Sequence, residues 1–311
     1  MNYKFTHREE FIQKLFKKNT HIKYSIVKYI DYSINDINKY SDIDIAICKK
    51  YLNEILNFIL EDNNILKKKI NKKSFMCVVE LYFKDNSFLS IDLIYAFRRK
   101  NIDYIDINKL LESSITNNES IKLPSNEYSF LYILLFYHLN GENIEPKYSD
   151  FFNSLEALEK DKIVNFLNKK FSTKYKNLSE FFNVNKNLNQ KIENYIDQNN
   201  NFEKKIKNSI LYVLDIFANF KKSQVINIKN NANINKKEII DLLGKKYRKE
   251  IVNIDSSKLS FIKLFKLKIK NYLKGHTIID FNKRINNKKY IIELKSDNSL
   301  FDFEKKYIDI I

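Results

Sequence analysis

The sequence predicts an α+β fold in three parts: mixed helix and strand to about residue 100, helices to about residue 220, then a small β-α-β-like tail. Three observations carry this prediction. Ser41-Asp42-Ile43-Asp44-Ile45-Ala46-Ile47 alternates strictly between polar and apolar residues, the mark of a half-buried strand. Two β-rich runs, Phe75–Phe83 and Phe88–Tyr95, flank Lys84-Asp85-Asn86-Ser87 and read as a hairpin. From Asp106 to Phe220, apolar residues recur at helical spacing in successive segments.

The elements follow in order. Thr6 with Glu9 and Glu10 forms a capping-box-like start for a helix through about Lys18. His21–Ile30 is β-rich and reads as a strand, and the polar stretch Asp31–Lys39 leads to the alternating strand. Tyr51–Leu60 carries apolar residues at helical spacing. Beyond the hairpin, helices are expected at Asp106–Ile115, Asn126–Leu139, Asp150–Asn168, Leu188–Ile196 and Phe202–Phe220. Strand-like text returns at Gln224–Ile228, Glu250–Ile254 and His276–Asp280. The expected divisions are a core at 1–105, a helical substrate-binding region at 106–222 and an α/β tail at 223–311.

Composition narrows the class. The 311 residues are 44% hydrophobic and 30% charged, enough apolar material for sizeable cores and too much for wholesale disorder. Three Gly and two Pro exclude collagen-like and Pro-rich architectures and disfavour a glycine-rich phosphate loop. Cys48 and Cys77 are too few for a disulfide framework or a four-thiolate zinc site. A net charge of +17 is compatible with nucleic acid, anionic lipid or polyphosphate partners. The lysines are nevertheless spread along an Asn- and Ile-rich chain, as a general compositional bias would spread them, and runs such as Lys67-Lys68-Lys69 are short. No apolar run reaches the ~18 residues of a membrane span, and Phe130–Tyr137 reads as a buried helix. Met1–Glu10 carries Arg8, Glu9 and Glu10, unlike a secretory signal, so a cytoplasmic location is expected.

The chemistry is expected at three carboxylates. Asp42 and Asp44 stand two apart on one strand, which puts both on one face with Ile43, Ile45 and Ile47 on the other. Adjacent carboxylates repel and call for a compensating cation, and paired Asp oxygens suit Mg²⁺. Asp92 lies within Phe88-Leu89-Ser90-Ile91-Asp92-Leu93-Ile94, an acid among apolar residues on a strand, and is a candidate third ligand.

Ser41-Asp42-Ile43-Asp44-Ile45 followed by Ile91-Asp92-Leu93 resembles the DNA-polymerase-β-type nucleotidyltransferase superfamily over roughly residues 20–140. The resemblance implies an antiparallel-to-mixed sheet flanked by helices, two Mg²⁺ ions, and transfer of a nucleoside monophosphate from an NTP. It implies that Asp42 and Asp44 hold the metals and that Asp92 supports the one activating the acceptor oxygen. The superfamily usually opens with a Gly-Gly or Gly-Ser turn before the acids, whereas Val27-Lys28-Tyr29-Ile30-Asp31-Tyr32 has no glycine. A bacterial subset, in part fused to thymidylate-kinase-like domains, has Arg-Gly or Lys-Gly here, and Lys28-Tyr29 is the nearest match. Lys28 is therefore expected to supply charge to the donor phosphates.

The other expected substrate or nucleotide contacts are Ser41, Arg98 with its neighbour Arg99, Glu127 and His138. Glu127 and His138 are eleven residues apart on one predicted helix, three turns, and so share a face. In the tail, Val225–Ile228, Asn230–Lys237 and the apolar run after them resemble strand, P-loop and helix. Both motif glycines are Asn and the closing Ser/Thr is Lys237, so a degenerate kinase-like half that binds no Mg²⁺-ATP is expected. The expected activity is Mg²⁺-dependent nucleotidyl transfer to a hydroxyl or phosphate of a small, for instance sugar-derived, acceptor. Two alternatives stand beside it: an RNA- or tRNA-directed nucleotidyltransferase, and an inactive binding protein of the same fold.

Overall fold

Helix α1 (His7–Lys18) starts where the capping residues place it: the Thr6 hydroxyl accepts from the Glu9 amide, while the Glu9 carboxylate accepts from the Thr6 amide. This computed structural model describes residues 5–28, 42–117, 121–222, 224–230, 234–247, 249–254, 258–281, 291–294 and 299–310. After α1 come β1 (Tyr24–Ile26), β2 (Ile43–Ile47), α2 (Leu52–Leu60), β3 (Ile65–Lys72), β4 (Met76–Phe83) and β5 (Phe88–Ile94). Their five-stranded sheet has the order β1-β2-β5-β4-β3. Only the β2–β5 pair is parallel, so the sheet is mixed.

Side-chain parity divides the two faces of this sheet. Ile43, Ile45 and Ile47 of β2, with Leu89, Ile91 and Leu93 of β5, pack against Phe11, Leu15, Ile55 and Ile59 of α1 and α2. The opposite parity places Asp44, Ala46, Asp92 and Ile94 on the second face, where helices also pack. The alternating strand is therefore covered on both sides rather than half solvated, and of β2 only Asp44 is not fully buried. The Lys84–Ser87 turn closes the expected hairpin, with Asn86 in the left-handed region at φ 64°.

Two short ribbons follow, β6 (Phe97–Arg99) with β7 (Ile102–Ile105), and β8 (Ile115–Thr116) with β9 (Lys122–Leu123), with α3 (Ile107–Glu112) between them. Helices α4 (Asn126–Asn140), α5 (Pro146–Ser154), α6 (Ala157–Phe171), α7 (Ser179–Phe182), α8 (Lys186–Gln198) and α9 (Phe202–Lys222) complete the middle of the chain. The stretch expected as one helix, Asp150–Asn168, is two. The backbone turns extended at Leu155 and Glu156, and Ala157 starts a new helix. The sheet and these helices share one core, in which Val27, Ala46 and Phe97 meet Phe130, Tyr132 and Leu135 of the buried helix α4.

The tail comprises β10 (Gln224–Asn230), α10 (Lys236–Asp241), β11 (Ile251–Ile254), α11 (Phe261–Lys274), β12 (Thr277–Asp280), β13 (Ile291–Leu294) and α12 (Leu300–Ile310). Its four strands form an all-parallel sheet in the order β11-β12-β10-β13, a fuller α/β unit than the small β-α-β tail expected. It docks on the core through aromatic rings, Tyr247 against both Tyr82 and Phe88. Residues 231–233 of the P-loop-like stretch lie outside the described residues. At the helix that follows, the Asn235 side chain accepts from the Lys237 amide, so the chain caps α10 itself where a working P-loop would offer that amide to phosphate.

Candidate metal centre and cleft

The parallel register of β2 and β5 sets Asp44 directly opposite Asp92, and Asp42, two residues before Asp44, falls on the same face. One carboxylate oxygen from each of the three lies within 4.8 Å of the others, and all three residues are partly exposed. The backbones of Asp44 and Asp92 are held from behind by the Ile and Leu side chains of the opposite parity, so these two acids sit on strands, while Asp42 immediately precedes β2.

Asp44 and Asp92 open into a cleft of about 200 Å³ that also includes Lys28, Arg98 and Arg99. Its walls are largely aromatic: Phe75, Phe97, Tyr104, Tyr132 and Phe136. Tyr104 and Tyr132 show the field there. Burial raises both phenol pKa values well above the ordinary range, and the negative charge of Asp44 raises them further. The Tyr148 phenol is pushed up to about 12, first by burial; Lys28 works against that rise, while Asp44 and Asp42 add to it.

Lys28 is at the acids. Its Nζ lies 3.0 Å from Asp44 Oδ2 and 3.8 Å from the centroid of the Phe136 ring. Its backbone is left-handed at φ 60°, a conformation that favours glycine and costs other residues roughly 1–2 kcal/mol. Tyr29, which stands where the resemblance has glycine, lies outside the described residues.

Arg98 lines the cleft, but its guanidinium is engaged: Nε donates to Asp103 Oδ1 at 2.7 Å, and a terminal nitrogen donates to Ser74 Oγ at 3.3 Å. Ser74 in turn donates from its amide and its hydroxyl to Asp215 of α9, each at 2.6 Å. This network fixes the segment that carries Phe75 into the cleft. Arg98 is therefore a framework residue with one edge on the cleft, and its neighbour Arg99 supplies a further cation.

Glu127 and His138 do not join the site. Tyr132, Phe136 and Leu139 are the α4 residues that line the cleft, and at about 100° per residue Glu127 and His138 project roughly 100° or more away from each of them. The two are also about 16 Å apart along the helix axis and cannot touch. His138 instead neighbours Asn189 and Glu193 of α8; burial lowers its pKa, and these two neighbours partly oppose that. Ser41 lies outside the described residues.

The aromatic walls were not among the expected contacts, because they come from four separate segments that only the fold brings together, whereas Arg99, like Arg98, was expected as a phosphate contact. No family model, curated protein or solved structure matches this chain.

Proposed function

We propose that the chain is a metal-dependent nucleotidyltransferase of the polymerase-β type, moving a nucleoside monophosphate from an NTP to a small acceptor. The observation that carries the reading is the convergence of Asp42, Asp44 and Asp92 at one end of an aromatic, cationic cleft. The donor set fits a divalent cation. All three ligands are hard carboxylate oxygens, and oxygens about 2.1 Å from one Mg²⁺ stand at most ~4.2 Å apart, so small rotations close the observed spacing. The Lys28 ammonium already holds Asp44 against a positive charge.

Bound Mg²⁺ would neutralise the triphosphate and lower the pKa of the attacking hydroxyl. In this reading Asp42 and Asp44 hold the ions and Asp92 stands beside the acceptor oxygen. The partly exposed rings of Phe75 and Phe136 offer stacking for the donor base, with the buried Tyr104 and Tyr132 behind them. Lys28 exchanges Asp44 for a phosphate oxygen when the donor arrives. A lysine brings charge without the fixed amide geometry of a glycine turn, so donor affinity is modest and salt-sensitive.

The test is transfer of label from α-labelled NTPs to a panel of sugars and sugar phosphates, with and without Mg²⁺ or Mn²⁺. Metal-dependent product supports the reading. Product only when tRNA is added moves the acceptor to RNA, and no nucleotide binding by the metal-loaded protein removes the proposal.

A second expectation separates the parts of the Lys28 turn. Lys28→Gly, which keeps the left-handed backbone and loses only the ammonium, should raise the apparent donor KM roughly tenfold, the scale of one charge-assisted hydrogen bond. Lys28→Ala should match it, with the acceptor KM nearly unchanged. Equal effects on both substrates would assign Lys28 to the metal-bearing acids instead of the phosphates.

A further inference from the structure

Helix α9 is amphipathic in the reverse sense. Its inward face is polar, with Asn208 and Asp215 buried and bonded to the core at Asn101 and Ser74. Its outward face carries Ile206, Ile210, Val213, Leu214 and Phe217, all between 47% and 62% exposed and all within one narrow helical stripe. Helix α11 packs alongside α9. Its inner residues Leu264 and Leu267 sit against the tail sheet, while Ile262, Phe265, Ile269 and Leu273 form a second exposed stripe. The strands that follow the two helices are parallel neighbours, with Gln224 opposite Thr277, so both helices deliver their C-termini to the same edge of that sheet.

Monomeric proteins rarely leave large apolar patches in water, and here two helices each expose an apolar stripe. The charge around these stripes narrows what covers them. The two helices carry ten lysines and only two acids, of which Asp215 is turned inward, and α11 has no acid at all. Lys263, Lys266, Lys270 and Lys274 run along one side of the α11 stripe. A second copy of this face would set lysine against lysine. The depressions along α11 and at Ile206 and Ile210 of α9 are open rather than grooved, and the one at Leu214 and Phe217 is shared with the lysine-rich strand β3. Exposed apolar side chains flanked by lysines on a helix surface match the interface of an anionic bilayer, where the apolar residues enter the acyl boundary and the lysines meet headgroup phosphates.

We infer that the α9–α11 face docks the protein reversibly on anionic phospholipid membranes. No helix among the described residues is long and apolar enough to cross a membrane, so the attachment is peripheral. The inference is independent of the activity proposed above, because these residues lie outside the cleft.

Co-sedimentation of the full chain with vesicles tests it. Vesicles of equimolar phosphatidylcholine and phosphatidylglycerol should bring the protein down, and phosphatidylcholine alone should not. Binding should weaken with salt, as attraction between lysines and lipid phosphates requires. Phe265→Asp, at a residue 56% exposed, should lower the bound fraction at fixed lipid roughly tenfold with an unchanged melting temperature. Lys266→Glu with Lys270→Glu should do the same and make the residual binding insensitive to salt. Absence of sedimentation with the anionic vesicles, or retention of full binding in Phe265→Asp, overturns the inference. So does a concentration-dependent dimer in sedimentation velocity that Phe265→Asp abolishes, which would make the face a contact between copies.

Discussion

Asp44→Asn should reduce nucleotidyl transfer roughly a thousandfold or more, the rate equivalent of several kcal/mol of metal-borne charge stabilisation. The substitution preserves shape and removes one charge from a cluster of three acids spread over no more than 4.8 Å. It also takes a partner from Lys28, whose side chain is 27% exposed and free to turn to solvent. Relief of repulsion with Asp42 and Asp92 outweighs the loss of that screened pair, so the melting temperature should hold or rise. A second readout separates metal binding from chemistry. Mg²⁺ should raise the wild-type melting temperature through binding to the folded state, and that increment should shrink in Asp44→Asn and in Asp92→Asn. A variant that turns over within tenfold of the wild type, or an unaltered Mg²⁺ increment, would move the chemistry away from these acids.

The acids were legible in the sequence because their signal is local. A period of two puts Asp42 and Asp44 on one face whatever surrounds the strand. Asp92 was legible as an acid in strand text, but its parallel alignment with Asp44 was not, since register between strands about 45 residues apart is set by packing of the apolar face. Strand β3 escaped notice because Lys67-Lys68-Lys69 interrupts its alternation at a sheet edge, where exposed lysines discourage further pairing. Glu127 and His138 share a face, as their spacing requires, but nearly every side of α4 is apolar and buried, so periodicity carries no information about which side meets the cleft. The reversed polarity of α9 was hidden for a related reason. A helical moment tells that a helix has two faces, and only the tertiary contacts of Asn208 and Asp215 reveal that the polar one faces inward.

Lys249→Met should cost about 3–5 kcal/mol of stability, the scale expected when one member of a buried ion pair is removed. Lys249, just before β11, reaches across to Glu80 of β4, and the two side chains are only 5% and 8% exposed. The tail therefore inserts a cation into the same sheet face that carries the acids. Glu80 pairs with Ser90 on β5, and Val78, two residues before it, pairs with Asp92, which sets Glu80 about 7 Å along the strands from Asp92. In the Lys249→Met variant, the Glu80 carboxylate would keep the hydroxyl of Tyr82, 3.3 Å away, but would lose the Lys249 ammonium beneath the docked tail. The surrounding Tyr82, Phe88 and Tyr247 rings exclude the water that could replace it. By contrast, the exposed pair Lys205–Asp197 should contribute no more than about 1 kcal/mol. The double variant Glu80→Gln/Lys249→Met distinguishes charge from packing. It removes both charges, keeps hydrogen-bonding capacity toward Tyr82, and should recover most of the loss. Urea unfolding of the four proteins in the cycle measures the coupling. A coupling below about 1 kcal/mol would show that this ion pair adds little to the docking of the tail.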